Sequence, residues 1–247
     1  KMENLTLVAL SRMSVLRNQM ATIANNVANA DTDGFKSEHV MFDDYVVKTR
    51  GGESSLKAKI SFVSDVASYT DLSKGPLVST GNDLDVSIAK DGYFVVEGRN
   101  DNEYTANGRF SLNPDGELIT AGDKRVLNTD NEPIVIDGSV TTIDISRQGT
   151  ISADGAEIGK LQVVRFDNPQ ELERIANGLY RAPQRITPQV MDNPDLVQGS
   201  IEESNVEPIL QMSQMIEVHR AYESTSRLMS QDHDRQRKAI DILTRTN

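Results

Sequence analysis

Apolar or small residues recur at Met2, Thr6, Ala9, Met13, Leu16, Met20, Ile23 and Val27, in alternating steps of four and three. That alternation winds one stripe along a helix and suits a seam against a second helix, as in a coiled coil. No Gly or Pro interrupts it, and at ~1.5 Å rise per residue the helix would be roughly 40 Å long. A seam of that length demands a partner, because a lone apolar stripe in water invites association. Asn29-Ala30-Asp31-Thr32-Asp33-Gly34 then stops the helix with turn-forming residues. The partner is legible at the other end of the chain. From Pro208 to about Ile242 there is no Gly and no further Pro, and Gln, Met, Glu, Arg and Leu dominate. Pro208 fits the first helical turn. Met212, Met215, Ile216, Val218, Tyr222, Leu228 and Met229 form a wide apolar stripe there.

Between about Val40 and Thr187 the period becomes that of strands. Runs such as Leu84-Asp85-Val86-Ser87-Ile88 and Val140-Thr141-Thr142-Ile143-Asp144-Ile145 alternate, and Asp91-Gly92, Asn107-Gly108, Asp115-Gly116, Asp137-Gly138 and Asp154-Gly155 lie among them. Recurrent Asx-Gly between β-favouring runs signals hairpins. Only Pro169–Ala176 offers a helical turn or two inside this stretch. The expected fold is therefore mixed: N- and C-terminal coiled-coil helices paired together, with a central antiparallel all-β domain. The expected boundaries are a helix over 1–30 forming a core domain with 205–247, a partly extended link over 31–80, and a β-rich body over 81–204.

Charge and composition narrow the chemistry. The 247 residues include 26 Lys and Arg against 37 Asp and Glu, a formal net charge of −11. Residues 31–204 carry 17 basic against 30 acidic side chains, which repels polyphosphate and argues against nucleic acid as a partner. The absence of cysteine excludes disulfides, thiolate nucleophiles and Cys-ligated metal. No apolar run approaches the ~18 residues of a membrane span, so no direct membrane insertion is expected. The apolar stretch Leu5–Leu10 is broken by Ser11 and Arg12 without a secretory cleavage pattern.

Candidate reactive sites are weak. Asn29-x-Asp31-x-Asp33-Gly34 copies the opening of a calcium loop, but its twelfth position is Val40 rather than Glu, so a helix-stop turn is the expectation. His219 and His233 lie about four helical turns apart, too far to share an ion. Gly-x-Ser-x-Gly, Walker and Gly-x-Gly-x-x-Gly patterns are missing. No catalytic residue, metal or cofactor is expected.

The motifs converge elsewhere. Asn25-Asn26-Val27-Ala28-Asn29-x-x-Thr32-x-Gly34-Phe35-Lys36 resembles the signature of bacterial flagellar rod and hook proteins. Thr80-Gly81-Asn82-x-Leu84-Asp85-Val86, Asp91-Gly92-Tyr93-Phe94-Val95-Val96 and Tyr104-Thr105-x-Asn107-Gly108-x-Phe110 resemble the start of that family's β domain. Gln198-Gly199-x-x-Glu202-x-Ser204-Asn205-Val206 and Met215-Ile216-x-x-x-Arg220-Ala221-Tyr222-Glu223 resemble its C-terminal pattern. The likeness spans essentially the whole chain. Leu7-Val8-Ala9-Leu10-Ser11-Arg12 and Asp71-Leu72-Ser73-x-Gly75-Pro76-Leu77 are similar to the proximal-rod members, and a distal-rod or hook-type subunit is the alternative.

The resemblance implies a non-enzymatic axial subunit that polymerises helically through its terminal helices as part of a drive shaft and export channel. The implied assembly surface comprises Ala9, Met13, Leu16, Met20, Ile23, Val27, Met212, Met215, Ile216, Tyr222 and Met229, with Phe35 and Phe42 as anchors beside the Gly34 turn. The implied partners are copies of itself, proximal and distal rod subunits, ring proteins around the rod and the flagellar type III export apparatus. It would act in the basal body, spanning the periplasm, exported without a cleaved signal. From a different class, a secreted β-domain binding module or adhesin with oligomerising helices fits the same element pattern.

Overall fold

The computed structural model describes residues 3–48, 59–138 and 140–245. Met2 and the side chains of Thr6 and Phe42, named above, lie outside the described residues. The chain divides into two compact units, Lys1–Ala28 with Glu38–Asp71 and Glu207–Asn247, and Asn29–Ser37 with Leu72–Val206. Thirteen basic and 13 acidic residues fall in the first, 13 and 24 in the second. The whole net charge therefore belongs to the second unit.

The helical unit contains α1 (Glu3–Ala28), β1 (Glu38–Lys48), β2 (Lys59–Thr70) and α2 (Pro208–Arg245). Leu16, Ile23 and Val218 are buried together, with Met20, Val27, Met215, Ala221 and Tyr222 packed around them. Asn26, near the end of α1, hydrogen-bonds Gln211, near the start of α2. Residues 215–222 then lie along earlier turns of α1, so the two helices run antiparallel. α1 also packs on both strands, and Val15 and Asn26, off the helix seam, are buried too. The strands form an antiparallel hairpin paired from Glu38↔Thr70 to Lys48↔Lys59, with a register shift between Asp43 and Asp44. That bulge adds one residue to one strand and breaks the period-two count, and the hairpin lies within the stretch expected as a partly extended link.

The β unit continues with β3 (Leu77–Ser79), β4 (Val86–Ile88), β5 (Tyr93–Val96), β6 (Glu103–Thr105), β7 (Phe110–Leu112) and β8 (Leu118–Thr120). Then follow β9 (Ile143–Ile145), β10 (Thr150–Ala153), β11 (Ala156–Lys160), β12 (Val163–Arg165), β13 (Glu173–Arg174), β14 (Leu179–Arg181), β15 (Gln189–Val190), β16 (Leu196–Gln198) and β17 (Ser200–Glu202). A six-stranded sheet runs β13-β14-β6-β5-β12-β15, beside a three-stranded β11-β10-β9 and the pairs β7–β8, β4–β16 and β3–β17. Every pairing between these strands is antiparallel. β5 shows why the unit is stable. Phe94 and Val96 enter one buried cluster with Phe110, Leu118 and Leu161. Tyr93 and Val95 enter another with Tyr104, Phe166 and Tyr180. A strand buried on both faces reads as an unbroken apolar run rather than an alternation.

Turn chemistry fixes the register. Asp154 and Gly155, at φ 49° and 83°, form the two-residue loop between β10 and β11, the primed geometry that Asx-Gly favours. Gly116, at φ 80°, turns β7 into β8. Gly108 is glycine for a different reason: a Cβ there would lie 1.7 Å from the Val86 carbonyl oxygen. Pro169–Ala176 supplies the 3-10 turn Pro169–Glu171, and a second such turn spans Ala176–Gly178.

Candidate assembly surface and motif cluster

In the helical unit the expected surface residues divide into two sets. Leu16 and Ile23 are buried, and Met20, Val27, Met215 and Tyr222 pack against them. Ala9, Met13 and Met229 are half-buried. Met212 and Ile216 point the other way, 58% and 53% exposed, beside Ile209 at 84%. The inner side of α2 follows Gln211, Met215, Val218, Tyr222, Thr225, Met229 and Asp232, again in steps of four and three, all buried or half-buried. A search for apolar stripes overlooks this line because Gln211, Thr225 and Asp232 are polar. Their spacing alone carried the signal. Gln211 accepts from the Asn26 amide at 3.2 Å, and Asp232 accepts from Arg235 at 2.7 Å.

The motif residues of this unit serve packing and pairing. Asn26 is 1% exposed, whereas Asn25 and Ala28 face solvent. Within Arg220-Ala221-Tyr222-Glu223, Ala221 and Tyr222 join the buried cluster. Arg220 is exposed, and Glu223 lies 3.3 Å from His219 and 3.9 Å from Arg227. His39 stacks on Tyr69 across the hairpin, ring centroids 5.3 Å apart, and His233 is exposed.

In the β unit, motif segments from opposite ends of the sequence meet. The Asn29 carbonyl accepts from Thr32 at 3.1 Å, and the Thr32 carbonyl from Phe35 at 3.2 Å. Gly34, at φ 67°, sits so close to the chain at 106–107 that a Cβ would lie 2.8 Å from the Ala106 carbonyl carbon and the Asn107 nitrogen. Its N–H donates to the Glu202 carbonyl at 2.7 Å. Asn205 then clasps the strip: its N–H donates to Phe35 O, its Oδ1 accepts from Ser37 N–H at 2.7 Å, and its Nδ2 donates to Ser73 O at 3.0 Å. Ser204 and Val206 are buried beside it, and the Ser204 hydroxyl accepts from Val206 N–H at 3.2 Å.

Lys36 is the charged centre of this clasp. Its Nζ donates to Glu202 Oε1 at 2.5 Å and to Ser73 O at 2.8 Å. Glu202 Oε1 also accepts from Gly75 N–H at 3.1 Å. Lys74 lies 3.7 Å from Glu202 Oε2, and burial pulls its ammonium below the usual lysine range although Glu202 opposes that shift. The Arg174 guanidinium donates to Lys36 O at 2.9 Å and covers the Phe35 ring at 4.1 Å. Asp33 pairs with Arg109 at 3.1 Å; desolvation nonetheless raises its carboxyl above the ordinary aspartate value, against the lowering effect of Arg109. A cleft of about 320 Å³ opens beside Lys36, Lys74, Tyr93 and Glu202. Its buried charges are already engaged with one another, which suits it to locking chain segments rather than to taking up a ligand.

Comparison with known proteins accounts for this pairing of distant motifs. Residues 7–36 match the family described as flagella basal body rod protein, 87–153 the flagellar hook protein FlgE/F/G D1 domain, and 197–242 the flagellar basal body rod FlgEFG protein C-terminal region. The chain is 33% identical to a flagellar basal-body rod protein FlgF of Caulobacter vibrioides over 100% of both chains. It is 34% identical to a FlgF of Mesorhizobium japonicum over 98% of both. Identity to a flagellar basal-body rod protein FlgG of Bacillus subtilis is 30%, over 90% of this chain and 92% of that one. With all three family regions in order and full-length relatives above 30% identity, the chain belongs to the family of flagellar basal-body rod proteins.

Proposed function

We infer that this chain is a structural, non-enzymatic subunit of the flagellar rod that polymerises helically through its terminal helices. The observation that carries this reading is the division of α2. Its inner side is closed against α1 by Val218, Met215 and Tyr222, while Ile209, Met212 and Ile216 remain open to solvent. An apolar strip left open after the intramolecular seam is filled calls for a neighbour, and a contact between different surfaces of identical subunits propagates into a helical polymer. The α1–α2 pair then acts as a coiled coil, with residues 1–30 and 205–247 as the polymer's core domain and 81–204 as the body.

Full-length similarity to FlgF proteins supports a place in the proximal rod, next to copies of itself and other rod subunits, with ring proteins around the shaft. Delivery through the flagellar export apparatus completes the reading, and the periplasm-spanning basal body is where it would act. The FlgG relatives favour a second position in the same structure, a distal-rod or hook-type subunit.

Deletion of the gene with plasmid complementation, followed by electron microscopy of basal bodies, tests the assignment. Membrane rings lacking a completed rod, hook and filament are expected, and the length of the residual stump separates proximal from distal. Intact hooks and filaments in the deletion strain would overturn it.

A further inference from the structure

We propose that Asn177 is a site of spontaneous backbone modification, at which the Gly178 nitrogen attacks the Asn177 carboxamide and water completes its conversion to aspartate and isoaspartate. The chain contains the tripeptide Ala-Asn-Gly twice, at Ala106-Asn107-Gly108 and at Ala176-Asn177-Gly178. The reacting groups and the residue before them are the same in both, so a difference in reactivity between the two comes from the fold. In the reaction the Gly178 nitrogen bonds to Asn177 Cγ and gives up its proton to water. The Cγ–Nδ2 bond breaks, ammonia leaves and a cyclic imide closes. Water then opens the ring at either carbonyl. One opening yields aspartate, and the other yields isoaspartate, whose main chain runs through the side-chain carbons.

The attack needs the nitrogen and the carbonyl carbon brought into contact, which a fixed backbone prevents. Asn107 and Gly108 are both held. Asn107 Oδ1 accepts the Arg109 N–H at 2.9 Å, and its own N–H donates to Thr105 Oγ1 at 3.1 Å. Gly108 is buried; its carbonyl accepts the Val86 N–H at 2.9 Å, and a Cβ there would collide with the Val86 carbonyl. Asn177 is exposed, at φ 62° and ψ 33°, and its carboxamide makes no hydrogen bond among the described residues. Nothing lies within 4 Å of where a Cβ on Gly178 would stand. Outside its own turn, Gly178 is held by the Thr105 hydroxyl, which donates to its carbonyl at 3.3 Å. Exposed turns of this kind open locally, whereas a buried segment waits for larger unfolding.

The turn matters beyond its own length. Ile175 N–H donates to Leu179 O at 2.9 Å, closing the β13–β14 hairpin on which Arg174 sits opposite Tyr180. Arg174 donates to Lys36 O and covers the Phe35 ring. Isoaspartate adds a methylene to the backbone of the turn, so the change reaches the Lys36 strip through Arg174.

The test ages the purified full-length protein in mildly alkaline buffer, folded and in urea, and digests it with trypsin. Cleavage after Arg99, Arg109, Arg174 and Arg181 delivers the two sites in separate peptides, Asn100–Arg109 and Ile175–Arg181, and mass spectrometry reads the conversion of each. In the folded protein Asn177 is expected to convert several-fold faster than Asn107, and in urea the two at similar rates. Equal rates in the folded protein, faster conversion at Asn107, or an intact Asn177 where urea converts both would overturn the proposal. Asn177→Gly tolerates the positive φ and removes the amide. On ageing, the urea midpoint of the wild type is expected to fall further than that of this variant. Equal falls would overturn the link from the turn to the Lys36 strip.

Discussion

The side chain of Asn26 forms a two-point pair with the backbone of Glu38: its Oδ1 accepts the Glu38 N–H at 2.9 Å, and its Nδ2 donates to the Glu38 carbonyl at 2.8 Å. One carboxamide thus takes the place of a neighbouring strand's peptide group at the first residue of β1. Its Nδ2 also reaches Gln211 on α2 at 3.2 Å. A single buried amide therefore ties α1 to the hairpin and, from beside the helix seam, to the first turns of α2.

Asn26→Leu leaves both backbone groups of Glu38 without that partner, at a cost of about 1–3 kcal/mol for each buried polar group stranded. Asn26→Asp keeps the acceptor and loses the donor, so its loss should fall between leucine and wild type. Urea denaturation of the purified protein, followed by helical circular dichroism, measures the order. A midpoint for Asn26→Leu equal to wild type would mean that the amide is not what fixes the hairpin.

The helices were legible in sequence because their signal is local. Steps of four and three with no Gly or Pro survive whatever α1 packs on, so α1 and α2 were readable almost to their ends. Asp154-Gly155 was equally legible, since its loop geometry is written in two residues. The β1–β2 hairpin was hidden by its bulge at Asp43/Asp44. Other turns were hidden by composition. Thr120 and Asn128 each open a five-residue turn whose side-chain oxygen accepts the N–H four residues on. Asp123 and Asn131 take positive φ in them where glycine would be the usual sign. The clasp of Gly34, Lys36, Glu202 and Asn205 was legible as motifs and illegible as a cluster, because a contact spanning 166 residues leaves no periodic trace.

Lys36 and Glu202 have side chains 8% and 6% exposed, so removing one partner strands a buried charge. Lys36→Met should destabilise the β unit by about 3–5 kcal/mol, and the double change Lys36→Met with Glu202→Leu should cost less than the two single changes together. Thermal unfolding by near-ultraviolet circular dichroism, which reads the tyrosine-rich core, is the measurement. Additive losses would show that the two side chains act independently.

Burial raises the Tyr93 phenol well above its ordinary 10.0, with Tyr180 and Asp91 adding to the shift. Above pH 10 the unfolded chain releases this proton and the folded chain retains it. Stability from this group is fully present below about pH 10 and declines as pH climbs toward the folded-state value, with a limiting slope near 1.4 kcal/mol per pH unit. Denaturation midpoints between pH 9 and 11.5 should fall more steeply for wild type than for Tyr93→Phe. Parallel curves would assign the alkaline sensitivity to other groups.

Leu16 separates assembly from folding. It is buried with Ile23 and Val218 in the helical unit, and the described buried clusters of the β unit are built from other residues. Leu16→Asp puts a carboxylate into the α1–α2 seam, where an unpaired charge is costly, so the helices should lose their antiparallel packing. Rods should then fail to form and motility should be lost in a complementation assay, as also for Met20→Asp. The purified Leu16→Asp protein, compared with Tyr222→Phe as a reference, should keep the near-ultraviolet signal contributed by the buried Tyr93, Tyr104 and Tyr180 of the β unit. Normal incorporation of either variant into rods would refute the role of this seam in assembly; loss of the near-ultraviolet signal would show instead that the β unit depends on α1 for its fold.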